Sequence, residues 1–211
     1  MEGAINDLIQ KKLVEGIAVL RAVSADSALH VVLNEAAEKT ASALKSGHKL
    51  MVAGNGGSAA DAQHLVTEFV SRLCDDRPAM RAVALTTNSS ILTAVGNDYG
   101  YERVFSRQIE ALGQAGDVFM GISTSGTSPN VLRALELSRQ MGIVTIGLCG
   151  TGGGMPPLCD YCIRIPSDVT MYIQQAHLAL EHIFCAIVEQ EYFGPDLINA
   201  RSAAAVPQEE S

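Results

Sequence analysis

The sequence predicts an α/β domain: a five-stranded parallel sheet flanked by helices, with an N-terminal helical segment before it. Three observations predict this. Residues 1–47 carry apolar side chains at three- and four-residue spacing, which is the period of a helix. From residue 49 onward, five short apolar runs alternate with stretches of helix length, the mark of strand–helix–strand units. The chain of 211 residues is 47% apolar and 18% charged, which suits one buried core and argues against a chain that stays unfolded.

The elements follow in order. Leu8, Ile9, Leu13, Ile17 and Leu20 place a first helix over residues 6–22, and Leu29, Val32, Leu33, Ala36, Ala41 and Leu44 a second over 24–45. Gly47 suits the end of that second helix, where a residue must turn left-handed. Strands are expected at residues 49–53, 81–85, 117–122, 143–149 and 162–165. Helices fill the intervals at 59–73, at 91–112 with a break at 96–100, and at 130–141. A long apolar-rich helix over 171–192 completes a single domain spanning residues 1–194, which includes the N-terminal helices at 1–47. Beyond Gly194-Pro195 the chain turns polar and alanine-rich, and residues 195–211 are expected to be a disordered tail.

Charge and composition exclude several classes. A formal net charge of -8 demotes a general nucleic-acid binder, which needs a basic surface. No apolar run has the length of a membrane span, and the start Met1-Glu2-Gly3-Ala4-Ile5 lacks the basic flank of a secretory signal. Five scattered cysteines read as reduced thiols, so the expected location is the cytoplasm. Cys159-Asp160-Tyr161-Cys162 matches a C-x-x-C pattern, but it leads into a strand rather than opening a helix, and no second ligand pair is spaced for a structural zinc site.

In an open parallel sheet, ligands bind beyond the carboxyl ends of the strands. After the first strand comes Gly54-Asn55-Gly56-Gly57-Ser58-Ala59. Its glycines fit a dinucleotide fingerprint, yet the second strand ends Leu85-Thr86-Thr87-Asn88, with no acid to hold a ribose. What remains is a glycine-rich turn opening a helix, where backbone N–H groups can approach an anion or a sugar hydroxyl. After the third strand comes Ser123-Thr124-Ser125-Gly126-Thr127-Ser128-Pro129, with five hydroxyls in six positions. Ser128 suits an N-cap and Pro129 a first helical turn. Either this is an ordinary polar loop, or it is a phosphate cradle of hydroxyls at a helix N-terminus; its place at the end of a buried strand favours the second. His64 and Glu68 lie four apart on one helical face, as either a solvated pair or a functional one. Gln174, His177, Glu181 and His182 punctuate the apolar final helix and need partners where buried; a histidine there suits a satisfied core position, and His177 with Glu181 also fits a simple surface pair.

Taken together, these segments resemble the sugar isomerase (SIS) domain family, and within it the phosphoheptose isomerases. The likeness runs over residues 1–194 and rests on Ala53 to His64, Arg77-Pro78, Gly96-Asn97-Asp98-Tyr99-Gly100, Phe105-Ser106-Arg107-Gln108, Gly116-Asp117-Val118, Ile122 to Gly126, and Ile173-Gln174 with His182. It implies a flavodoxin-like sandwich and a homotetramer with active sites at subunit interfaces. The implied reaction turns sedoheptulose 7-phosphate into glycero-manno-heptose 7-phosphate through an enediolate. The family's substrate positions match Asn55, Gly56, Gly57, Glu68, Asn97, Asp98, Ser123, Thr124, Ser125, Ser128 and Gln174. Its zinc ligands, one ion per subunit, match His64, Glu68, Gln174 and His182, and its catalytic pair matches Glu68 and His182. Gln174 and His182 are eight residues apart, about 12 Å along a helix, so they share one ion only by leaning inward or by coming from different subunits. Neither nucleic acid nor membrane is an implied partner. The family also holds non-catalytic relatives that sense sugar phosphates or bind proteins; they lack the matched glutamate and late histidine, and this chain has both.

Overall fold

A computed structural model of the chain describes residues 2–74 and 76–194. The expected tail at 195–211 lies outside the described residues. Two helices come first, α1 (Glu2–Ala25) and α2 (Ser27–Lys45). They part at Asp26, whose carboxylate accepts from the Leu29 backbone N–H at 3.0 Å and so caps α2. Gly47, with φ of +86°, sits just past the end of α2 as expected.

The rest alternates strand and helix: β1 (Leu50–Gly54), α3 (Gly57–Val70), β2 (Ala82–Ala84), α4 (Ser89–Tyr99), α5 (Ser106–Leu112), β3 (Val118–Ser123), α6 (Pro129–Gln140), β4 (Val144–Cys149), β5 (Tyr161–Arg164) and α7 (Thr170–Phe193). All five expected strands form, each within a residue or two of its expected bounds. The break expected at 96–100 comes later: Gly96 stays helical, and α4 ends at Gly100, followed by one short turn of 3-10 helix over Tyr101–Arg103. An isolated glycine inside a helix is tolerated at about 1 kcal/mol.

The strands are all parallel in the order β2-β1-β3-β4-β5. This is the flavodoxin-like order, as the resemblance implies. Every residue of β1 and β3 is buried, which explains their unbroken apolar runs. One sheet face packs Leu50, Val52 and Met120 against Leu33 of α2, Leu65 and Phe69 of α3, and Phe184 of α7. The other packs Met51 and Phe119 against Ile109 of α5 and Leu135 of α6. α1 lies outside these layers, along α7. Its Ile5, Leu8, Ile9, Leu13, Val14 and Ile17 are 46–58% exposed, a continuous apolar face. No single helix among the described residues is long and apolar enough to cross a membrane.

Candidate active site

In this strand order the chain leaves β1 toward β2 and leaves β3 toward β4, in opposite directions. A crevice opens between the carboxyl ends of β1 and β3, and the two loops singled out in the sequence flank it. In the β3 loop, Gly126 takes φ of +65°, a conformation that favours glycine, and its N–H bonds back to the Ser123 carbonyl at 2.9 Å. The turn gathers the hydroxyls: Ser123 Oγ lies 2.9 Å from Ser128 Oγ and 3.4 Å from Ser125 Oγ, and Ser125 Oγ lies 2.9 Å from Thr127 Oγ1. Ser128 holds the N-cap position of α6 with Pro129 next, yet its hydroxyl turns to Ser123 instead of capping the helix. The hydroxyls therefore stay available to an anion beside this helix start, where Pro129 has no N–H and the Val131 N–H is taken up by Asn130 Oδ1 at 3.0 Å.

The β1 loop is tied to this cradle. Asn55 and Asn130 exchange side-chain amide bonds at 2.9 and 2.8 Å, and Tyr101 donates to Asn55 Oδ1 at 3.3 Å. A cleft of about 340 Å³ opens here, lined by Asn55, Tyr101, Glu102 and Ser128–Asn130. Gln174, in the first turns of α7, lies against Gly57: a Cβ there would sit 2.1 Å from Gln174 Nε2. Asn97 and Asp98 are exposed on α4 and bond each other at 2.7 Å; among the described residues they do not bond either loop.

Farther along, α3 and α7 bring a second group together. His64 Nε2 lies 2.7 Å from His182 Nε2 and 3.5 Å from Glu68 Oε1. These three side chains can place one ligand atom each within 4.8 Å of the others. Two imidazole nitrogens aimed at each other at that distance need a shared proton or a shared cation. Two imidazoles and a carboxylate suit a borderline ion such as zinc better than magnesium or calcium. Gln174 is not in this group within one chain, because Gly57, which it touches, is seven residues or about 10 Å before His64 on α3.

Arg77 fixes the end of α3 that carries Glu68. Its side chain is 2% exposed, pairs with Glu189 of α7 through Nε at 2.6 Å, and donates to the carbonyls of Phe69 and Glu68. Of the two readings open for His177 and Glu181, core or surface pair, the structure takes the core: both are buried, at 0% and 1% exposure. None of their side-chain nitrogens and oxygens, nor Asp61 Oδ2, has a well-formed hydrogen bond. Burial, and then the charge of Asp61, pushes Glu181 up to about 8, while burial lowers His177 to about 4 against a weaker pull from the Cys149 backbone. Asp61 is itself raised by burial. Sequence reasoning missed Asn130 and the clamping role of Arg77; the one available signal for Asn130 was its place beside the helix start at Pro129.

The SIS domain family matches residues 15–150. The chain belongs to this family. Among SIS-domain relatives, it is 49% identical over 198 residues to the phosphoheptose isomerase of Aneurinibacillus thermoaerophilus, covering 93% of this chain and 100% of that one. It is 52% identical over 191 residues to phosphoheptose isomerase 2 of Campylobacter jejuni, covering 90% and 95%. The solved phosphoheptose isomerase of Neisseria gonorrhoeae superposes with a TM-score of 0.83 at 37% identity, over 88% of this chain and 99% of that one. The SIS fold and the isomerase likeness thus extend over nearly the whole described chain, N-terminal helices included.

Proposed function

We propose that the protein is a cytoplasmic phosphoheptose isomerase, converting D-sedoheptulose 7-phosphate to D-glycero-D-manno-heptose 7-phosphate. The observation that carries this reading is the pairing of a hydroxyl-lined anion cradle at the β3 end with a carboxylate and two imidazoles on α3 and α7. Ser123, Thr124, Ser125 and Ser128 hold the distal phosphate, and its binding energy positions C1 and C2. Asn55, Gly56, Gly57, Asn97, Asp98 and Gln174 hold the sugar hydroxyls. Glu68 takes a proton from one of the two carbons and returns it to the other, passing through an enediolate. His182 moves the proton between O1 and O2. His64, Glu68 and His182, with Gln174 supplied by a second subunit, would hold one zinc ion per subunit, which when bound supplies Lewis-acid stabilisation of negative charge on oxygen.

The active sites lie at the interfaces of a homotetramer. The exposed apolar face of α1, together with Leu178 and Ile183 on α7, supports this, since soluble monomers rarely leave so large a patch uncovered. So does the separation of Gln174 from the imidazole pair within one chain. The acidic surface and small phosphorylated substrate leave no role for nucleic acid or membrane. Turnover of sedoheptulose 7-phosphate by the purified protein, beside a panel of other sugar phosphates, tests the function. Elemental analysis tests the zinc, and light scattering the tetramer. Absence of turnover with every sugar phosphate, in protein that binds them, would leave a non-catalytic sensor instead.

A further inference from the structure

On the β4–β5 side of the sheet, one strand over from the Ser123 end of β3, three thiols and a thioether converge. Cys149 ends β4 and is fully buried, and its Sγ lies 3.8 Å from Sγ of Cys162 in β5. Cys162 pairs in the sheet with Gly147. A Cβ on Gly147 would sit 2.5 Å from Cys159 Sγ and 2.9 Å from Met155 Sδ. The missing side chain at Gly147 is what lets those two sulfurs lie over the strand. Cys159 and Cys162 are half-buried, so the group is reachable from solvent, while Met155 is buried. The C-x-x-C pattern that led nowhere in the sequence thus gains a third thiol and a thioether from elsewhere in the fold.

We propose that this sulfur cluster is a binding site for a soft monovalent cation of the copper(I) class, held by the Cys149 and Cys162 thiolates with Cys159 and Met155 beside them. Ligand softness selects the ion. Thiolate and thioether donors favour copper(I) over magnesium, calcium or manganese. Zinc would need a compact, closed set of four ligands. The three thiols do not form even a compact set of three of the kind His64, Glu68 and His182 make, whereas a copper(I) ion is satisfied by two thiolates. Oxidation chemistry is disfavoured because the thiolate is the reactive form. The Cys149 thiol favours the Cys162 thiolate, but the Cys159 thiol and burial outweigh it and push Cys162 up to about 12; Cys149 is raised further, by its bond to Cys162 and by burial. The entering ion must therefore displace both protons to solvent, and its apparent affinity rises about 100-fold per pH unit below the thiol pKa values.

The test is an anaerobic titration of copper(I) from a chromophoric chelator into the full chain carrying Cys74→Ser, which removes the exposed thiol outside the cluster. X-ray absorption and the ultraviolet sulfur-to-copper charge-transfer band read the donors directly, separating this site from the imidazole–carboxylate group. The expected result is about one sulfur-ligated ion per chain, lost in Cys162→Ser and in Cys149→Ala, with both variants folded by circular dichroism. A charge-transfer band that survives both substitutions, or copper bound solely through nitrogen and oxygen, would overturn the assignment.

Discussion

Substituting Gly57 by alanine tests how closely Gln174 must be held. The added Cβ would lie 2.1 Å from Gln174 Nε2 and 2.9 Å from Gln174 Cδ. Ordinary contact begins near 3.4 Å, so the amide has to retreat by more than ~1 Å. The obstacle is the far end of a flexible side chain, so folding is expected to lose little, under the ~1–3 kcal/mol typical of an overpacked core. Function is expected to lose more, because a displacement of about 1 Å in a positioning group can cost ~100-fold, or roughly 2.7 kcal/mol of transition-state stabilisation. Steady-state kinetics on sedoheptulose 7-phosphate, with thermal melts alongside, measure both. In Gly57→Ala combined with Gln174→Ala, the melting temperature should recover while kcat/KM stays low. A Gly57→Ala protein with the parental kcat/KM would refute the reasoning, since Gln174 would then work equally well from a displaced position.

Other perturbations have separate signatures. Glu68→Gln and His182→Asn should each lower turnover by at least ~100-fold while substrate affinity falls much less, whereas Ser125→Ala should weaken substrate binding and spare the chemistry; parental turnover in Glu68→Gln would remove it as the base. His177 has its folded pKa lowered from 6.5 to about 4, so its contribution is present above pH 6.5 and is lost as pH falls toward 4. Urea denaturation at fixed protein concentration should show His177→Gln gaining about 3 kcal/mol relative to the parent between pH 7 and pH 4, a change that an unaltered gap would contradict. Arg77→Met strands Glu189 in the core and should destabilise the protein by roughly 3–5 kcal/mol, read from the denaturation midpoint. A loss below ~1 kcal/mol would mean that solvent reaches the carboxylate.

The elements that were legible were those whose burial is uniform. β1 and β3 are buried on both faces, so Leu50–Gly54 and Val118–Ser123 read as apolar runs wherever one looks. The strand-end loops were legible too, because glycines and clustered hydroxyls announce themselves locally. The buried state of His177 and Glu181 was left open because α7 is apolar around much of its circumference, leaving no polar face to mark which side meets solvent. The Asn55–Asn130 amide exchange joins residues 75 apart, and no local pattern encodes it. The sulfur cluster was half visible as Cys159 and Cys162; the approach of Cys149 depends on the pairing of β4 with β5.

His64, Glu68 and His182 all belong to one chain, on two helices that pack side by side. Three of the four proposed ligands are therefore in place as soon as a single polypeptide has folded, and only Gln174 waits for another copy. Maturation can then run in a fixed order, with the ion captured by the newly folded subunit and sealed in by association. If the proposed ion and assembly hold, newly made subunits would take up the ion one at a time, and metal-free chains would be present in the pool from which oligomers are drawn.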